Sequence, residues 1–97
     1  MSKNVKNHEM DNLMDAFSTL NSREEAYAFL EDLCTVKELE SLSQRLEVAR
    51  LLREKITYQD IASKTGASTT TVSRVGRALN YGSDGYDMVL DRLSIHN

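Results

Sequence analysis

Apolar residues recur at spacings of three and four along most of the chain, and this periodicity predicts α-helices. The first predicted helix begins at His8 and ends before Asn21, and its apolar stripe comprises Met10, Leu13, Met14, Phe17 and Leu20. The second carries Ala26, Tyr27, Phe29, Leu30 and Leu33. The third predicted helix runs from about Val36 to Lys55. The side chains expected to lie inside the protein are Leu39, Leu42, Leu46, Ala49 and Leu52.

Capping signals mark where these helices begin. The segments Ser22–Glu25 and Thr35–Glu38 match the capping box, in which a hydroxyl accepts a hydrogen bond from the amide three residues on and the glutamate reaches back. Thr57, with Asp60 three residues later, predicts the start of a fourth helix in the same way.

Residues 57–77 predict two short helices joined by a tight turn. Gly66 falls where the turn requires a positive φ, and Ser68 follows as the N-cap of the second helix. Val72 and Val75, three residues apart, are expected to anchor that helix to the core. This is the layout of a DNA-binding helix-turn-helix.

The outward face of the second helix suits the major groove of DNA. Threonine and serine hydroxyls can contact base edges or phosphates, and arginine can bind guanine or phosphate through two hydrogen bonds. No acidic residue lies between Ile61 and Asn80, so no carboxylate would repel the DNA backbone. The outward residues are Thr69, Thr70, Ser73, Arg74 and Arg77. The alternative interpretation is a helical hairpin with a solvated polar face.

The C-terminal segment completes an all-α chain. Gly82 is suited to end the fifth helix, and a last helix is expected from about Asp84 to Ile95, within residues 83–96. Six helices and no strands are predicted, in agreement with the absence of proline. We expect one domain over residues 1–97, with a helical dimerisation region at 8–56 and the helix-turn-helix at 57–79.

Charge is distributed unevenly along the chain, although the net charge is only −3. Residues 8–41 contain nine acids and two bases, a net charge of −7, whereas residues 42–80 contain seven bases and three acids, a net charge of +4. The positive segment includes the predicted helix-turn-helix, as a localised DNA-binding face requires.

The apolar stripes of the first two helices exceed what a small monomer can cover. Their outer faces are acidic and would not approach DNA. We interpret them as dimerisation arms, exchanged between subunits in a homodimer. The alternative is that these helices pack only on their own core.

Other classes of function find little support in the sequence. Cys34 is the only cysteine, so an internal disulfide is excluded, and we expect it to be a small core residue. His8 and His96 lie near opposite ends and have no partner at the spacing of a metal site. We therefore expect no enzyme and no metal. The absence of a signal peptide and of a long apolar run predicts a cytoplasmic protein without membrane contact.

The segment from Leu42-Ser43-Gln44-Arg45-Leu46 to Arg77-Ala78-Leu79 resembles the Trp repressor family. The six-helix outline, with helices four and five as the reading head, is similar as well. The short acidic N-terminal arms are similar to the YerC/YecD subfamily of Trp repressor-like proteins. Thr71-Val72-Ser73-Arg74-Val75 also resembles the recognition helix of LacI-type repressors, so that part indicates a reading head rather than one family.

The resemblance implies an intertwined homodimer whose two recognition helices enter successive major grooves of double-stranded operator DNA. Thr69, Thr70 and Ser73 would face bases, while Tyr58 and Gln59 would lie near phosphates. The complete predicted DNA-binding set is Tyr58, Gln59, Lys64, Ser68, Thr69, Thr70, Ser73, Arg74 and Arg77.

The resemblance also implies an effector site. In Trp repressors the indole lies between two arginines, and Arg45 and Arg74 match their positions. The glycine that follows the second arginine is replaced by Val75, and a serine one turn later is replaced by Ala78. The link between Arg45 and the turn is also one residue shorter than in Trp repressors. These departures weaken a tryptophan site, so no cofactor is expected, and a different small-molecule corepressor stays an alternative.

Three hypotheses follow for the function. The first is a dimeric bacterial transcriptional regulator, a repressor, that binds a partly palindromic operator. The second is a helical protein-interaction module whose helix-turn-helix does not read DNA. The third is a repressor that binds DNA only together with a small-molecule corepressor.

Overall fold

The computed structural model describes residues 7–96 of the chain, with side chains to residue 94. Within this range the chain is all-α, without strands, as predicted. The helices are α1 (His8–Ser18), α2 (Arg23–Leu33), α3 (Val36–Arg53), α4 (Tyr58–Thr65), α5 (Thr69–Tyr81) and α6 (Gly85–His96). The described residues form two compact units, divided between Leu39 and Glu40. None of the described helices combines the length and hydropathy needed to span a bilayer.

The predicted capping residues begin α2 and α3. Thr35 and Glu38 form a full capping box, with Thr35 Oγ1 accepting from the Glu38 amide at 3.1 Å and Glu38 Oε1 accepting from the Thr35 amide at 2.8 Å. Ser22 Oγ accepts from the Glu25 amide at 3.1 Å. Glu25 Oε1, however, accepts from the Asn21 amide at 2.9 Å, one residue before the expected donor.

The first unit contains α1, α2 and the start of α3. No residue of α1 or α2 is buried. Phe17 and Phe29 meet edge to face, with ring centroids 5.5 Å apart, which is a favourable aromatic geometry. Large apolar side chains of this unit are exposed to solvent, namely Met14, Tyr27, Leu33 and Val36. Within this unit, the described residues therefore leave the apolar stripes of the first two helices partly uncovered.

The second unit carries the buried core of the protein. Its members come from α3, α4, α5, α6 and the turn between α4 and α5: Val48, Ala49, Leu51, Ile61, Ala67, Val72, Val75 and Leu90. The prediction that Leu42 and Leu46 lie inside is wrong for the single chain, because they are 45% and 36% exposed. The buried residues of α3 begin at Val48, so the preceding turns of this helix contribute no buried side chain to the core.

Polar contacts connect α3 to the other helices of the second unit. Gln44 Nε2 donates a hydrogen bond to the carbonyl oxygen of Thr65 at 3.2 Å, at the end of α4. Arg53 forms ion pairs with Asp87 and Asp91 on α6. These contacts, together with the core, position α4 and α5 on the long helix.

Candidate nucleic-acid interface

The turn between α4 and α5 has the predicted local geometry. Thr57 and Ser68 are the N-caps of the two helices. Gly66 adopts a left-handed conformation with a φ of 76°, and its amide donates to the Ala62 carbonyl oxygen at 2.9 Å. A residue with a Cβ is disfavoured at this φ, so the glycine permits the sharp change of direction. The predicted positive φ and both predicted caps are confirmed.

Buried apolar residues fix the orientation of both helices. Ile61 on α4 and Val72 and Val75 on α5 are almost completely buried, and for the two valines this was expected from their spacing in the sequence. Ala67, within the turn, is buried as well and was not predicted. Because one side of α5 is held against the core, its opposite side faces solvent.

Six polar side chains line one open groove on the solvent side of α5, which we call the α5 groove. Five come from α5 and one from the start of α4: Thr69, Thr70, Ser73, Arg74, Arg77 and Tyr58. All six belong to the DNA-binding set predicted from the sequence. The fold thus brings together residues up to 19 positions apart on one surface.

The other three predicted DNA-binding residues lie outside the lining of the α5 groove. Gln59 and Lys64 are exposed on α4. Ser68 is exposed too, but its hydroxyl is engaged at the start of α5. It accepts from the Thr71 amide and bonds to Thr71 Oγ1, both at 3.1 Å. The Ser68 hydroxyl therefore caps α5, and a DNA contact through Ser68 would have to use the same hydroxyl.

The cationic groups of this surface have no carboxylate partner among the described residues. Lys64, Arg74 and Arg77 are exposed, and the ion pairs within residues 7–94 involve other arginines. No acid occurs between Ile61 and Asn80. The positive charge of the surface is therefore available to an external anion.

Two arginines outside the groove are, by contrast, neutralised within the protein. Arg50 bridges Glu47 and Glu54 on α3, and Arg53 pairs with acids on α6. The hydrogen bond from Arg50 holds the pKa of Glu47 below its usual value, against a smaller opposing effect of burial. The hydrogen bond from Arg53 to Asp91 raises the pKa of the Arg53 guanidinium. These charges are used for intramolecular contacts, whereas those beside the groove are not.

The chemistry of the α5 groove matches what a polynucleotide presents. Hydroxyl groups donate and accept hydrogen bonds, and threonine methyl groups can contact the methyl group of thymine. Two guanidinium groups can each make paired hydrogen bonds to guanine or to a phosphate. The groove contains no carboxylate, histidine or thiol among its lining residues, so it offers no nucleophile–base pair.

The two arginines predicted for an effector site differ in their surroundings. Arg45, on α3, is half-buried, and its Nε donates to the Ser41 carbonyl oxygen at 3.4 Å. Arg74 lines the α5 groove. Val75, which replaces the family glycine, is in the core at 2% exposure, while Ala78 is exposed. An effector role for Arg45 and Arg74 stays a prediction.

One residue of this region that the sequence interpretation missed is Gly76. It lies in the interior of α5 and is buried. A methyl group at this position would approach the Tyr58 hydroxyl oxygen to 2.7 Å. A glycine inside an otherwise regular helix is the signal that could have identified this close approach.

Comparison with known proteins supports the family resemblance over most of the chain. The family described as Trp repressor protein matches residues 8–94. The uncharacterized protein YerC of Bacillus subtilis (strain 168) is 54% identical over 89 residues, which is 92% of this chain and 86% of that protein.

Two solved structures also resemble this chain in both sequence and fold. A TrpR-like protein from Eubacterium eligens has a TM-score of 0.90 and 55% identity, covering 96% of both chains. A candidate Trp repressor from Staphylococcus aureus has a TM-score of 0.89 and 49% identity, covering 96% of this chain and 93% of that one. At these identities the likeness extends to the sequence as well as to the fold.

Proposed function

The chain belongs to the Trp repressor family, whose members are regulators rather than enzymes, and we propose that it is a repressor that reads operator DNA through α4 and α5. The observation that carries this proposal is the α5 groove. It gathers two threonines, a serine, a tyrosine and two arginines, and none of its lining residues is acidic. We further propose that the protein works in the cytoplasm, where a bacterial operator is found.

The proposed binding mode follows from the helix-turn-helix arrangement. α5 enters the major groove with its N-terminal residues toward the bases, and α4 crosses the phosphate backbone. Thr69, Thr70 and Ser73 then face base edges, and Arg74 binds a guanine or a phosphate. Lys64 and Arg77 add charge that attracts the backbone and makes binding dependent on salt.

We also propose that the regulator is an intertwined homodimer. Exposed apolar side chains on α1, α2 and the first half of α3 need a cover, and a second copy supplies one. Two-fold symmetry sets two copies of α5 about 34 Å apart, so that each reads one half of a partly palindromic operator. A single reading head contacts too few base pairs for one site in a genome.

Binding to duplex DNA at several salt concentrations tests the proposal. With extensively dialysed protein and a fluorescent duplex, we expect affinity that falls as salt rises. Arg77→Ala should reduce the steepness of that dependence, whereas Lys37→Ala, which removes an exposed lysine in the first unit, should not.

Other outcomes identify the rival functions. Absence of salt-dependent binding would contradict DNA reading and favour a protein-interaction module. Loss of binding on dialysis that an added metabolite reverses would identify a corepressor-gated repressor, and Arg45→Ala should then abolish the reversal.

A further inference from the structure

The interior of α5 contains a glycine at a buried position. Gly76 lies between Val75 in the core and Arg77 in the α5 groove. Glycine weakens a helix interior relative to alanine, because it has more backbone freedom to lose and exposes the backbone. Helix formation therefore does not explain why a glycine occupies this position, so the explanation has to come from the residues around it.

The space beside Gly76 is occupied by the end of a tyrosine from α4. A methyl group on Gly76 would lie 2.7 Å from Tyr58 Oη and 3.7 Å from its Cζ, but 3.8 Å from Leu52 Cδ1. Only the contact with the tyrosine oxygen is too short for a real methyl group, since the leucine contact is an ordinary one. The missing side chain thus leaves a notch on α5 that accommodates the Tyr58 hydroxyl.

The hydroxyl in this notch remains available to a ligand. Tyr58 is 46% exposed and lines the α5 groove together with Ser73 and Arg77. Within residues 7–94, the side-chain hydrogen bonds of α4 and its cap are made by Thr57 and Thr65. The end of the tyrosine side chain therefore packs against α5, and none of these hydrogen bonds engages its hydroxyl.

We propose that Gly76 is a positioning residue for DNA binding, which acts by seating Tyr58 so that its hydroxyl donates a hydrogen bond to a backbone phosphate. This inference rests on the proposed function. Tyr58 is the first residue of α4, the helix that crosses the backbone in the proposed binding mode. Arg77, next to Gly76 in the chain, lines the same groove, so that the neutral donor and the guanidinium face one stretch of backbone.

Gly76→Ala should separate DNA binding from folding. The only atom that must move is the end of a side chain, and alanine favours the helix, so we expect an unchanged or raised melting temperature. Affinity for a duplex selected by the wild-type protein should fall by roughly 3- to 10-fold, the range for one hydrogen bond. Gly85→Ala is the matched control, because nothing lies within 4 Å of a methyl group there.

The combination with Tyr58→Phe distinguishes positioning from a general effect on α5. Phenylalanine lacks the hydroxyl that the new methyl group displaces, so Gly76→Ala should cause no further loss of affinity in the Tyr58→Phe protein. The salt dependence should be unchanged by Gly76→Ala, since the lost donor is uncharged, and reduced by Arg77→Ala. In NMR spectra, Gly76→Ala should shift the ring signals of Tyr58 but not those of Tyr27.

The outcomes separate this inference from the proposed function. Wild-type protein that binds no duplex overturns both. Wild-type protein that binds, with a Gly76→Ala variant of equal affinity, overturns the inference alone. If Gly76→Ala lowers affinity equally in the wild-type protein and in the Tyr58→Phe variant, the inference is also overturned, because the effect would then not act through the hydroxyl.

Discussion

Arg74 is the side chain on which the proposed reading of DNA depends most directly. Its position in the groove follows from its neighbours, because Val72 and Val75 are both buried and the two residues between them, Ser73 and Arg74, are turned toward solvent. It has no carboxylate partner among the described residues, unlike Arg50 and Arg53. Its guanidinium is therefore free of the intramolecular competition that would oppose binding to a base or phosphate.

Arg74→Ala should lower specific DNA affinity by about 1–3 kcal/mol if the arginine reads a base, and it should leave the free energy of unfolding nearly unchanged. The residue is exposed, so its removal creates no cavity. Fluorescence anisotropy and thermal unfolding measure the two effects. Arg92→Ala is the control, since it removes an exposed arginine of α6. Unaltered specific binding by the Arg74 variant would show that α5 is oriented differently on DNA.

At the scale of helices and turns, α4 and α5 illustrate how far local signals reach. The hydroxyl caps and the glycine of the turn have short-range causes, and the sequence predicted each of them correctly. The burial of Val72 and Val75 also follows from spacing alone. Gly76 was not recognised, because its reason is a side chain 18 residues earlier in the chain.

The same limit explains the error on α3. Periodicity places Leu42 and Leu46 on the apolar stripe, but it does not say which helix, or which chain, covers that stripe. In the single chain they are exposed, and the buried face of α3 comprises Val48, Ala49 and Leu51. A pattern within one helix therefore predicts an apolar surface, whereas its burial depends on tertiary or quaternary partners.

Gly66→Val tests the turn between α4 and α5. The β-branched side chain disfavours a φ of 76°, at a cost of order 1–3 kcal/mol. Both the melting temperature and DNA affinity should fall. Gly76→Ala, by contrast, should lower DNA affinity without lowering the melting temperature. Gly85→Val is the control, because Gly85 has neither a positive φ nor an atom within 4 Å of an added methyl group. A Gly66→Val protein as stable as wild type would mean that the turn does not impose this conformation in solution.

At the scale of the whole molecule, the exposed apolar residues and the acidic charge occur together in the N-terminal part. Residues 8–41 carry a net charge of −7, and the large apolar side chains of that segment are not buried in one chain. Acidic surface would repel DNA, whereas apolar surface favours association with another protein. This distribution supports the proposal that residues 8–46 hold two subunits together and that α4 and α5 read DNA.

Sedimentation equilibrium at micromolar concentration should give twice the chain mass of 11.0 kDa. Replacing Leu42 and Leu46 by aspartate should yield a species of lower mass or an aggregate, because charge would enter the proposed interface. Tyr81→Asp, at an apolar position that is 87% exposed, should leave the dimer intact. Deleting residues 1–33 should expose the apolar surface of the proposed interface and give aggregated or unfolded protein without specific binding. A well-folded wild-type monomer would contradict the role assigned to the acidic helices.

Selection of bound sites from a random pool of duplex DNA tests the central claim most directly. The full-length protein should enrich a two-fold symmetric sequence whose half-sites are centred about 10 base pairs apart, one turn of DNA. The Arg74→Ala protein should lose that preference or relax it at defined positions, while the Arg92→Ala protein retains it. Failure of the wild-type protein to enrich any sequence would contradict a dimeric repressor that reads DNA through α5, and enrichment of the same symmetric site by the Arg74→Ala protein would contradict base reading by Arg74.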